Sequence, residues 1–75
     1  MTNFSLKIYN TRKSKNLTQK EMADLLKVRQ TTISTWETGK VIPPIPMIFN
    51  IANVLDLKAI DLLELIKQDL TNEPA

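Results

Sequence analysis

The chain has 75 residues, 43% hydrophobic and 24% charged, with one glycine, no cysteine, no histidine and a net charge of only +2. That is room for one domain with one small core and no deep cleft, and it excludes disulfides, thiol nucleophiles, zinc fingers and the usual neutral-pH acid–base residue. The N-terminus carries no basic-then-apolar leader and no apolar run nears a membrane-spanning length, so the chain is expected to be cytoplasmic, with no membrane partner.

A first helix is predicted over Phe4–Lys15, with Phe4, Ile8 and Thr11 at core spacing. Asn16 is its expected stop, because asparagine tolerates the left-handed conformation that follows a helix. Thr18-Gln19-Lys20-Glu21 reads as a capping box, in which the threonine hydroxyl takes an orphan amide while the glutamate reaches back to the cap. The second helix then runs to about Leu26, burying Met22, Ala23 and Leu26, and Lys27-Val28 makes the turn. A third helix over Gln30–Thr38 stops at Gly39, the only glycine, where a left-handed cap is expected. Pro43, Pro44 and Pro46 form a stiff connection, with Pro46 in the first turn of a fourth helix built on Met47, Ile48, Ile51, Ala52 and Leu55. A fifth covers Ala59–Leu70, with Leu62, Leu63, Ile66 and Leu70 on its inner side, and Thr71–Ala75 reads as a flexible tail. The predicted fold is all-α: five short helices around one core, the whole chain 1–75 forming a single domain.

Charge is unevenly spread along this plan. Residues 1–40 carry eight bases against three acids, whereas residues 41–75 carry Lys58 and Lys67 against five acids. One surface facing a polyanion and another facing away would produce this asymmetry; chance clustering on a solvated surface would too. The third helix separates the two readings. Gln30, Thr31, Ser34 and Thr35 fall within one arc at about 100° per residue, while Ile33 and Trp36 fall on the other side. The polar arc holds amide and hydroxyl groups and no carboxylate. Glutamine can bond an adenine edge twice and threonine offers a hydroxyl and a methyl, which is what reading a DNA major groove requires. Four polar residues on a helix are, taken alone, also an ordinary solvated face.

A short capped helix, a tight turn and a second short helix ending in glycine form a helix-turn-helix arrangement. Over residues 4–63 the sequence resembles the helix-turn-helix domains of lambda-type phage repressors and Cro proteins. The resemblance is carried by Arg12, Leu17-Thr18-Gln19-Lys20-Glu21-Met22-Ala23, Val28, Thr32-Ile33-Ser34, Trp36-Glu37-Thr38-Gly39-Lys40, Pro43, and Leu55-Asp56-Leu57 before Leu62. It implies sequence-specific binding of double-stranded DNA, with Gln30, Thr31, Ser34 and Thr35 at base edges. It implies phosphate contacts at Gln19, Thr38 and Lys40; Lys20 and Arg29 are basic neighbours expected to reach phosphates as well. It also implies a structural ion pair between Arg12 and Glu37. Three positions depart from the family: Lys27 stands where a glycine usually turns the chain, Arg29 replaces a serine or threonine cap, and Thr11 replaces a leucine.

The expected function is a transcription regulator, a repressor in sign, with no catalytic residue, metal or cofactor. Trp36 is expected in the core rather than stacked on a base. Asp61, Glu64 and Asp69 read as a solvated helix face rather than a metal cluster. Lys13 and Lys15 fit either free surface or long-range steering. The broad spread of leucine and isoleucine on the fifth helix suggests a dimer interface at Leu62, Leu65 and Ile66, serving a homodimer on a pseudo-palindromic operator. The alternative is a protein-interaction module, such as an antitoxin-like partner, that uses the same helix for docking.

Overall fold

The computed structural model describes residues 1–71 and contains five helices and, among the described residues, no strand. They are α1 (Asn3–Ser14), α2 (Gln19–Leu26), α3 (Gln30–Glu37), α4 (Ile45–Leu55) and α5 (Ala59–Thr71). Thr71 therefore still belongs to α5, and the rest of the expected tail lies outside the described residues.

All four connections use one device, three of them at a residue other than glycine. Asn16, Lys27 and Asp56 each sit in the left-handed region, at φ 59°, 58° and 56°. In each case the next amide reaches back five residues: Leu17 to the Arg12 carbonyl, Val28 to Ala23 and Leu57 to Ala52. These are Schellman ends, which satisfy orphan carbonyls and turn the chain within two residues. The residue after each left-handed one is apolar, and Leu17, Val28 and Leu57 all pack against the core. The fourth end, after α3, puts Gly39 at φ 80°. Glycine suits that conformation, and a Cβ there would make a tight 3.2 Å approach to the Thr2 methyl.

The core these turns enclose is formed by Phe4 and Ile8 of α1, Met22, Ala23 and Leu26 of α2, and Ile33 and Trp36 of α3. Ile48, Ile51, Ala52 and Leu55 of α4 and Leu62 and Ile66 of α5 complete it. Helix α1 lies against α3, α4 and α5, while α2 packs on α3 and α4. Its inward face is narrower in apolar content than the spacing suggests. Thr11 is only half-buried and its hydroxyl donates to the Lys7 carbonyl, while Ser5 and Arg12 are buried beside Phe4 and Ile8.

Two assignments on α5 change. Leu70, expected on the inner side, is 63% exposed. Asp69, expected on a solvated face, accepts the amides of Asn3 at 2.8 Å and Phe4 at 3.0 Å. A carboxylate at the first free amides of a helix satisfies donors that no carbonyl can reach and complements the helix dipole. Thr2 and Ser5 complete that end as a capping box. Helix α1 thus starts one residue earlier than predicted, held by α5.

Candidate nucleic-acid interface

The interface begins with how α2 and α3 are fixed to each other. Thr18 caps α2: its hydroxyl accepts the Glu21 amide at 3.0 Å, and the Glu21 carboxylate accepts the Thr18 amide at 2.9 Å. That backbone bond, with the Thr18 hydroxyl second, holds the Glu21 carboxyl below the ordinary glutamate range. At the other end of α2, Lys27 takes the left-handed turn and Arg29 opens α3 with extended backbone and no side-chain cap bond. The start of α3 therefore leaves its first amides without a side-chain cap.

Behind α3 lies a buried node. Arg12 Nε donates to Glu37 Oε2 at 2.6 Å and its Nη2 to Oε1 at 3.0 Å, a two-pronged pair with side chains only 6% and 3% exposed. The third prong, Nη1, donates to the Leu17 carbonyl at 2.6 Å, and the guanidinium stands 5.5 Å from the centre of the Tyr9 ring. Gln19 Nε2 donates to Glu37 Oε1 at 3.0 Å. Helix α1, the α1–α2 turn, the first residue of α2 and the last residue of α3 thus meet at one ion pair. No buried side-chain nitrogen or oxygen among the described residues lacks a partner.

Glu37 is the only acid of α3, and the node turns it inward. What α3 offers to solvent is then free of negative charge. Gln30 and Thr31 are exposed on its first turn, and Ser34 and Thr35 are half-buried further along. Thr35 donates its hydroxyl to the Thr32 carbonyl at 2.7 Å, so outward it presents a methyl and an oxygen that accepts. Thr38 donates to the Ser34 carbonyl at 2.9 Å and caps the helix. Lys40 is exposed just beyond, its amide bonded to the Thr35 carbonyl at 3.1 Å.

Gln19 and Gln30, eleven residues apart, come together at the mouth of one groove of about 490 Å³, whose other walls are Arg12, Lys13, Asn16, Leu17 and Thr18. Lys13 and Asn16 are members the sequence reading did not place there; their signal was a basic residue one helical turn before a left-handed asparagine. Lys20 lies on the outer side of α2, with Nζ 3.4 Å from the Asp24 carboxylate in an exposed pair of little energetic weight. The expected dimer surface on α5 requires correction. Leu62 is fully buried and Ile66 is 9% exposed, and Leu65 packs half-buried against the same core. Leu62 and Ile66 thus complete this chain's interior and are closed to a second copy, whereas Leu65 keeps part of its surface exposed. Among the described residues no cluster of acidic side chains could hold a metal, and no helix is long and apolar enough to cross a membrane.

Two short helices locked at a tight turn, the second with a polar outer face, define a DNA-binding helix-turn-helix domain. The sequence model of the helix-turn-helix family matches residues 8–63, and the chain belongs to that family, in its Cro/C1-type branch. A 40-residue stretch is 48% identical to the HTH-type transcriptional activator BcrR of Enterococcus faecalis. It covers 53% of this chain and only 20% of that relative, so the chain spans a small part of the relative's length.

Proposed function

We propose that this domain binds double-stranded DNA sequence-specifically and regulates transcription, with α3 in the major groove. One observation carries the reading: the outward face of α3 bears amide and hydroxyl groups while its single carboxylate is drawn into the Arg12 node. A carboxylate left on that face would be repelled by phosphates. Gln30, Thr31, Ser34 and Thr35 read base edges. Gln19, Lys20, Arg29, Thr38 and Lys40 hold the backbone on either side, where contacts position the protein without reading sequence. Gln19 retains one N–H beyond its bond to Glu37, and the start of α2 beside it is a natural seat for a phosphate oxygen.

The functional unit on DNA is a homodimer on a pseudo-palindromic site. The role is that of a binding domain and not of an enzyme. Repression, the expected sign, requires only occupancy of the site, whereas the matched relative is by name an activator. A promoter reporter read with and without the protein decides between them. Protein docking through α5 would have to rest on Ile60 and Leu70, which are exposed, since Leu62 and Ile66 are buried.

The test is a selection of bound duplexes from a random pool, followed by titration of variants against the selected site and its single-base changes. Gln30→Ala should remove about 1–3 kcal/mol of discrimination at one base pair per half-site while leaving binding to random DNA nearly intact. Gln19→Ala should weaken good and bad sites alike. A uniform loss for Gln30→Ala would move base reading to Thr31 and Thr35.

A further inference from the structure

We infer that Glu37, a buried side chain out of reach of any DNA, is a positioning residue for the contact made by Gln19: its carboxylate fixes which way round the Gln19 amide faces the groove. The inference rests on the DNA-binding reading above and gives the buried ion pair a part in that contact besides holding the helices together.

A glutamine amide has two unlike ends, an oxygen that accepts and a nitrogen that donates, and half a turn of its last torsion exchanges them. On an open surface both orientations are populated. Gln19 has a different setting. It is half-buried at the first position of α2, and its Nε2 donates to Glu37 Oε1 at 3.0 Å. A carboxylate only accepts. With the amide turned over, its oxygen would stand against Glu37 Oε1, two acceptors in contact with no proton between them. Glu37 is 3% exposed, so little water is at hand to relieve that contact.

Arg12 makes the direction firm. Its Nε donates to Oε2 at 2.6 Å and its Nη2 to Oε1 at 3.0 Å, so the guanidinium fork occupies one edge of the carboxylate. The Gln19 nitrogen takes a further acceptor position on Oε1. The remaining prong of Arg12 is bonded to the Leu17 carbonyl, two residues before Gln19. One guanidinium therefore holds both the carboxylate and the chain that leads into the glutamine.

What Gln19 has left for the groove beside Lys13 and Asn16 is one N–H and one carbonyl, in a fixed order. A phosphate oxygen is negative and only accepts, so it distinguishes the two. An amide held ready to donate gives up little freedom when phosphate arrives, whereas a free one meets it with the carbonyl part of the time.

The test is a set of duplex titrations in three backgrounds, each checked first for helical circular dichroism. Gln19→Ala should weaken binding at least about tenfold in the parent, the worth of one hydrogen bond to a charged oxygen. In Arg12→Met/Glu37→Leu, which keeps the site apolar and leaves no buried charge, Gln19→Ala should cost less than about twofold. Arg12→Met/Glu37→Gln returns an acceptor without the charge, and there the cost of Gln19→Ala should reappear. A purely structural ion pair would leave that cost equal in all three backgrounds, which overturns the positioning role. So does a parent in which Gln19→Ala costs nothing, while its binding keeps the DNA reading intact. The second readout uses free protein: by nuclear magnetic resonance, the Gln19 side-chain amide protons should exchange slowly in the parent and in the Glu37→Gln background, and fast in the Glu37→Leu background. If the parent binds no duplex, the DNA reading falls. The exchange rates then decide the orientation: that pattern sustains it, and equal rates in the three proteins end it.

Discussion

A single buried guanidinium decides how the two recognition elements are held. Arg12 binds both oxygens of Glu37 and the Leu17 carbonyl, and Glu37 in turn holds Gln19. Removing one partner of such a pair leaves a charge with no water and no counter-charge. Arg12→Met should therefore cost about 3–5 kcal/mol in urea denaturation, a large share of what a small domain has. The double variant Arg12→Met/Glu37→Leu should recover much of that loss, because burying two apolar groups of similar volume carries no ionic desolvation. A loss below about 1 kcal/mol in the single variant would mean that water reaches the node. This pair was legible in the sequence only through family resemblance, since 25 residues separate the partners. Asp69 at the start of α1 was not legible at all: a carboxylate on a helix surface looks the same whether water or a distant amide faces it.

At the scale of elements, the repeated left-handed turn explains why five helices fit in so short a chain with a single glycine. Non-glycine residues in that conformation carry strain, least for asparagine and aspartate and more for lysine. Lys27→Gly should thus stabilise the domain by up to about 1 kcal/mol, read as a higher denaturation midpoint with an unchanged slope. The glycine's extra freedom in the unfolded chain offsets part of the gain. No gain would indicate that the lysine stem is held by the surface along α2. Helix identities were legible because each has an apolar period, and α2 adds the Thr18–Glu21 capping box. The ends of α1 and the outward turn of Leu70 were not, because they depend on which helix lies alongside. The α5 dimer reading lost Leu62 and Ile66 for a related reason. A wide apolar arc looks the same in sequence whether it faces its own core or a partner.

For the whole molecule, the basic first half and acidic second half place the positive charge on the segment that contains α2 and α3. Affinity for duplex DNA should fall with salt by about 0.9 log units per log unit for each phosphate neutralised. Lys40→Ala should weaken every duplex by a similar factor and make that slope shallower by about one contact. An unchanged slope would remove Lys40 from the phosphate contacts.

Because residue 69 holds residues 3 and 4, the two ends of the described chain lie side by side. The order in which the helices are strung is then separable from the way they pack. A circular permutant closed across that seam with a short glycine–serine linker, and opened between Val41 and Ile42, should refold to the same five helices, because every helix keeps its neighbours. Thermal melting of the permutant against the parent, followed by helical circular dichroism, checks it. In such a protein α4 would lead the chain and α3 would end it, and the polypeptide would begin and finish beside the polar face of α3.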